Sequence, residues 1–213
     1  MSIRDIPLES WPRRAALDHF RRFSQPAFSV TVRVDVTGLA DRAVRHGATP
    51  WLAYHHAAIE AANSVDAMRQ ILTPAGGVQE FDVIHGSTTV LRGDGSFGIV
   101  SLGREPELAR FAAAAQPRVA RVRAASGGLF EGDVPVGPVA SLIHMTTLPW
   151  LAFTAFTHAR DAGDDRAKFA FGRFTDEGGR RWLPVAVDVH HALVDGQHIG
   201  QFFERLQRHL DAV

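Results

Sequence analysis

The sequence predicts an α/β protein, a two-layer sandwich in which a mixed β-sheet carries helices on one face. Three observations point there. Segments with period-two alternation, such as residues 27–36, are interleaved with segments of helical character, such as residues 49–63. Short strand-like runs follow one another between glycine turns through the middle of the chain. Finally, 213 residues, 46% of them hydrophobic, can bury the core that a layered sheet needs. No repeat or linker-like stretch divides the chain, so residues 1–213 are expected to form a single domain.

Taken in order, residues 11–23 read as a helix, with Ser10 as its cap and Pro12 in the first turn, where a missing N–H is tolerated. In residues 27–36, Phe28, Val30, Val32, Val34 and Val36 alternate with Ser29, Thr31, Arg33 and Asp35, the pattern of a half-buried strand. Residues 37–45 read as a short helix ended near Gly47. Thr49 then caps a helix that has Pro50 at its first position and runs to about Asn63. Strands are expected at 68–73, 78–81, 88–92 and 97–102, separated by turns such as Gly93-Asp94-Gly95. Residues 105–125 read as a helix interrupted near Pro117, and 126–138, rich in Gly and Pro, as a loop. Further strands are expected at 139–147, 150–157, 168–175 and 183–190, before an amphipathic helix over 195–210.

The charges balance, 23 basic against 23 acidic, so no global field favours nucleic acid or an anionic membrane as partner. The absence of cysteine excludes disulfides, thiolate metal sites and a cysteine nucleophile. No apolar run approaches the roughly 20 residues that span a bilayer, and the first residues lack a signal-peptide core. A soluble cytoplasmic protein is the expectation.

The chemistry concentrates near the C-terminus. An apolar alternating run delivers His190 and His191 to a strand end, and Asp195-Gly196 follow as the opening of a helix. An imidazole fixed there can be reached by substrate, and histidine exchanges a proton near neutral pH without a large pKa shift. The pattern HHxxxDG is therefore a candidate general-base site. A histidine pair alone means little, because His55-His56 recurs inside the Thr49 helix with no acid or glycine after it. A metal site on His191, Asp195 and His198 is the weaker reading: only Asp195 and His198 share a helix face, and no metal is expected. No GxSxG elbow supports a serine nucleophile.

These residues resemble the chloramphenicol acetyltransferase family of CoA-dependent acyltransferases. The likeness is carried by His190 to His198 followed by Phe202-Phe203-Glu204-Arg205-Leu206-Gln207, by Thr147-Leu148-Pro149-Trp150, and by Trp11-Pro12-Arg13-Arg14 leading into Ala27-Phe28-Ser29-Val30-Thr31. It covers essentially the whole chain. It implies that acetyl-CoA is a co-substrate rather than a tightly bound cofactor, and that the partner molecule is a small alcohol. It also implies a homotrimer whose sites lie at subunit boundaries.

By the same resemblance, His191 is the general base and Asp195 pairs with Arg13 to hold the histidine segment. Thr146 stands where the family places a serine that donates to the oxyanion. Trp150, Arg173 and Phe174 are implied at the coenzyme, the last two where the family has a lysine and a tyrosine. Phe20, Phe28, Thr88, Phe97, Phe156 and His158 are implied at the acceptor pocket. There Phe20 replaces a tyrosine and His158 an apolar side chain. The expected activity is acetyl transfer to a hydroxyl of chloramphenicol. The alternatives are the same chemistry on another hydroxylated small molecule, or a non-enzymatic ligand-binding trimer.

Overall fold

The structure, a computed structural model, describes residues 2–161 and 163–212. Its main sheet grows from the antiparallel pairing of β2 (Ala27–Asp35) with β10 (Arg180–His190), in register from Asp35 opposite Trp182 to Ala27 opposite His190. β10 begins earlier than expected because Arg180, Arg181 and Trp182 fold back on β9 (Thr175–Glu177) through Gly178 and Gly179. Both glycines hold positive φ, which other residues adopt only under strain. The strand expected over 168–175 is accordingly two, β9 and β8 (Lys168–Phe171). β8 pairs with β10 and with β7 (Leu142–Thr147), beyond which lie β5 (His85–Leu91) and β6 (Phe97–Leu102). The pairs β5–β7 and β7–β8 are parallel and the rest antiparallel, so the sheet is mixed as predicted.

The sheet has two unlike faces. Met145, Phe169, Phe171, Val185, Val187 and Val189 point into the hydrophobic core. Against them pack the long helices α3 (Pro50–Asn63), α4 (Leu108–Ala124) and α5 (Gly196–Ala212). α5 buries Ile199, Phe202, Leu206 and Leu210, a stripe at helical spacing, while Thr49 caps α3 by accepting from the Leu52 N–H at 3.2 Å. α2 (Leu39–Arg45) packs on α3. The alternate sheet residues Ser87, His144, Thr146, Ala170 and Asp188 occupy the open face. β4 (Val78–Phe81) pairs on one side with β1 (Ile3–Asp5) and on the other with β3 (Gln70–Leu72) in a separate small sheet, with Glu80 neutralised by Arg4 and Arg69.

Several sequence expectations are corrected. The first helix, α1, is only Arg14–Phe20, and Ser10 does not cap it. The Ser10 hydroxyl instead donates to the Pro7 carbonyl. α4 runs unbroken through Pro117. Pro117 is exposed, as is Ala113 one turn before it, so water can satisfy the freed carbonyl. Burial of Leu108, Phe111, Ala112, Ala115 and Val122 then outweighs the roughly 3 kcal/mol penalty of an internal proline. Residues 150–157 form no strand and enter no ladder of the main sheet, whose order is β2-β10-β8-β7-β5-β6. The segment crosses the open face instead. At Gly172 it comes so near that an added Cβ would lie 2.7 Å from the Leu151 carbonyl oxygen and 3.0 Å from the Phe153 ring.

Candidate active site

β10 ends by delivering two imidazoles with different surroundings. His190 is buried, and its Nδ1 accepts from the Ala192 N–H at 3.2 Å. Burial, helped by the nearby charges of Arg160 and His191, pushes its pKa down to about 4, so it stays neutral. His191 sits one residue beyond the strand. Its ring stacks on Phe20 at 4.0 Å with 9° between planes, and Phe28 closes on it at 4.5 Å. Its N–H donates to the Pro26 carbonyl at 2.8 Å. The ring Nδ1 is enclosed without a partner among the described residues, leaving Nε2 as the nitrogen that can meet a substrate.

Arg13, just before α1, clamps this turn. Its guanidinium pairs with the Asp195 carboxylate and donates to the His191 carbonyl at 2.8 Å and the Ala192 carbonyl at 3.3 Å. The planar fork suits three acceptors spread over one turn. Asp195 also accepts from the backbone N–H groups of Gln197 and His198 at the start of α5, while its own backbone N–H donates to the His198 ring Nδ1 at 3.2 Å. Burial alone would raise the Asp195 pKa. The His198 backbone N–H and the charges of His198 and Arg13 outweigh it and hold the carboxyl below its ordinary value.

Thr146 lies at the other end of the sheet. Its hydroxyl bonds that of Thr89 at 3.0 Å on the open face. Through β8, Thr146 is level with Ala170 and then with Ala186 on β10. His191 is five residues further along that strand, roughly 16 Å at the rise of an extended chain, and two strands across. One chain therefore does not bring Thr146 to His191. Trp150 is 61% exposed and walls a cavity of about 270 Å³ near Thr146, together with Tyr54, Thr89 and Thr147. Arg173 and Phe174 are exposed beside it, with Phe174 edge-on to Tyr54 at 6.2 Å.

Of the expected acceptor-pocket residues, Phe20 and Phe28 meet at His191, whereas Phe97 is half exposed on β6 opposite Leu91. The Thr88 expectation is corrected. Thr88 is buried toward the helices, where its hydroxyl bonds the His55 ring at 3.0 Å. Strand alternation puts its neighbour Thr89 on the open face instead. Phe156 packs edge-on to His158 at 4.8 Å. The His158 ring is turned to Asp188, Nδ1 to carboxylate 3.0 Å, and Asp188 also accepts from Ser29 at 2.6 Å. Burial raises the Asp188 pKa, but the hydrogen bonds from His158 and Ser29 more than reverse it. The other histidine pair serves packing: His55 bonds Trp51 and Thr88, and His56 bonds the Glu105 carbonyl.

Asp188, Trp51 and Tyr54 were not picked out by sequence reasoning. A signal existed for Asp188, a lone carboxylate inside the apolar run from Val185 to Val189, which must find partners when buried. Trp51 and Tyr54 stand one helical turn apart, a spacing that puts two aromatic rings on one face.

A family model described as chloramphenicol acetyltransferase matches residues 1–207. A chloramphenicol acetyltransferase of Streptomyces acrimycini is 32% identical over 205 residues, covering 95% of this chain and 91% of the relative. Chloramphenicol acetyltransferase 2 of Escherichia coli is 26% identical, covering 100% and 99%. Among solved structures, a chloramphenicol acetyltransferase superposes with a TM-score of 0.86 at 25% identity, covering 98% of this chain and all of that one. A dihydrolipoamide acetyltransferase of Azotobacter vinelandii shares the fold, with a TM-score of 0.68 at 18% identity and coverage of 92% and 86%.

Proposed function

The chain belongs to the chloramphenicol acetyltransferase family, and on that premise we propose that His191 is the base with which it moves an acetyl group from acetyl-CoA to a hydroxyl of chloramphenicol. It is an acetyl-CoA-dependent O-acetyltransferase. His191 Nε2 removes the acceptor's hydroxyl proton as that oxygen attacks the thioester carbonyl carbon. The carbonyl becomes a tetrahedral oxyanion. Its collapse breaks the carbon–sulfur bond, and the imidazolium returns its proton to the leaving thiolate. No covalent enzyme intermediate is required, because alignment of two bound substrates supplies much of the gain. Arg13 and Asp195 position the imidazole by fixing the turn that carries it.

The observation that carries this reading is the His191 ring itself, held between Phe20 and Phe28, with Nδ1 enclosed and its backbone clamped by Arg13. The oxyanion donor is Thr146 of a neighbouring copy, since the Thr146 of the same chain lies at the far end of the sheet. Residues 1–213 act as one domain, and three copies close a ring of shared sites in the cytoplasm, where acetyl-CoA is at hand. Trp150, Arg173 and Phe174 receive the coenzyme, and Phe20, Phe28, Phe97 and Phe156 line the acceptor's path.

Mixing tests the shared site. His191→Ala and Thr146→Ala proteins, each inactive alone, are unfolded together and refolded. Pairing an intact imidazole with an intact neighbouring hydroxyl should restore roughly a quarter of wild-type activity. No recovery, with folded hybrids present, would refute the arrangement. A second reading, another hydroxylated acceptor, is favoured by the polar His158–Asp188 pair where the family resemblance implies apolar surface. CoA thiol release with chloramphenicol decides between the two.

A further inference from the structure

We infer that Arg123, on the last turn of α4, is a second coenzyme cation and binds a phosphate of acyl-CoA. The inference rests on the reading that the chain binds that coenzyme. Two cavities, of about 270 and 420 Å³, adjoin between the start of α3 and the end of α4, and both are lined by Trp51 and Arg123. The first opens onto Thr89, whose hydroxyl bonds Thr146, and is walled by Trp150. The second continues past Trp51 along Val119 and Gln116 of α4. Together they form one trench that begins at the Thr146–Thr89 hydroxyls and ends between two helices.

The trench is apolar along its length and cationic at the junction of its two parts. Arg104, Arg110 and Arg118, which precede Arg123 in the chain, each hold a carboxylate. Arg123 is exposed and makes no such pair among the described residues. A ligand that fits needs a reactive end small enough for the threonine hydroxyls, a long neutral arm to lie on the Trp51 indole, and an anion at the guanidinium. A thioester of coenzyme A supplies these parts: acyl group, pantetheine and phosphates. A guanidinium grips phosphate oxygens in pairs, with geometric selectivity that an ammonium lacks. Arg173, exposed next to Phe174, is the other cation assigned to the coenzyme above. The coenzyme would thus be held by two arginines, one of them supplied by α4.

Arg123→Gln decides the matter, because the residue is exposed and its replacement leaves the core intact. Binding of CoA and of pantetheine is measured by calorimetry, with the kinetics of acetyl-CoA and S-acetylpantetheine alongside. Loss of one charge-assisted contact should weaken CoA binding and raise KM for acetyl-CoA by about 5- to 30-fold. The KM for chloramphenicol, the kcat at saturation and all constants for the pantetheine substrates should stay unchanged. CoA affinity within about twofold of wild type would overturn the proposal, as would an equal loss with pantetheine, which would make Arg123 a packing residue. If wild type itself fails to bind CoA, the coenzyme reading falls. If only the comparison with Arg123→Gln fails, that reading stands without Arg123.

Discussion

Arg13 and Asp195, 182 residues apart in sequence, meet in an ion pair whose guanidinium also takes the carbonyls of His191 and Ala192. The pair joins the start of the chain to the turn that presents the imidazole. Arg13→Ala should therefore cost stability and activity together. A contact to a charged group is worth about 2 kcal/mol, reduced somewhat here because the Asp195 side chain is 35% exposed. Arg13→Lys should recover little, since an ammonium cannot span three acceptors. Thermal midpoint and kcat of both variants test this. Full activity in Arg13→Lys would show that charge alone suffices.

The same pair sets an acid limit. The Asp195 pKa is depressed in the folded state, so the stability it contributes is complete at neutral pH. It is lost as pH falls below the ordinary carboxylate value of about 3.9 and through the folded value. Wild type and Asp195→Asn should thus differ in urea midpoint at about pH 7 and converge at about pH 2. A constant gap would assign the effect to packing.

His191→Ala should lower kcat by about 10²-fold or more while leaving acetyl-CoA binding in place, the loss expected when a general base is removed. Phe20 and Phe28 would lose only a stacking partner at the mouth of the site. A variant with near-normal turnover would end the case for His191.

Thr146→Ala should reduce kcat by about 10²-fold, or about 3 kcal/mol, with KM values nearly constant, because an oxyanion donor acts mainly after the attack. Thr146→Ser keeps the hydroxyl, frees χ1 and should match or exceed wild type. If alanine is as active as serine, the oxyanion is stabilised elsewhere.

Acid should also act through buried rings. Burial pushes the pKa of His55 down to about 3, and that of His144 to about 4, the latter helped by Arg166 and Lys168. His190 lies at about 4 for the reasons given above. The unfolded chain takes up these protons below about 6.5, whereas the folded chain waits for the lower values. Stability supplied by the neutral rings is whole above that point and drains away on acidification, by up to about 1.4 kcal/mol per ring and pH unit. The urea midpoint should drop steeply from about pH 6 to about pH 5. A flat profile there would contradict the burial.

Much of this architecture is written in local patterns. Thr49, Pro50 and a long apolar stretch specify α3 from end to end, and the stripe through Phe202 and Leu206 specifies α5. What escaped was decided by neighbours in space. Residues 150–157 are apolar and aromatic enough for a strand, but composition does not say whether another strand pairs with them. Pro117 signals a break that a buried helix face overrules. β1 is three exposed residues, too short for any period to show. In the site, His191 was legible from its motif, whereas Thr88 was placed at the acceptor pocket by family likeness and instead faces the helices, where its hydroxyl bonds the His55 ring. Arg13 entered through family likeness alone; nothing local marks one arginine among many.

The wide gap between Thr146 and His191 has a consequence for inheritance of damage. When each reaction centre draws its two key groups from different chains, injury is counted per junction rather than per polypeptide. If copies of the chain assemble as proposed, a cell making intact and crippled ones side by side would hold mixed assemblies, in which one bad subunit spoils a junction on one flank yet still serves its neighbour on the other. Loss of acetyl transfer would then deepen gradually with the share of faulty copies, and two differently broken alleles could rescue each other.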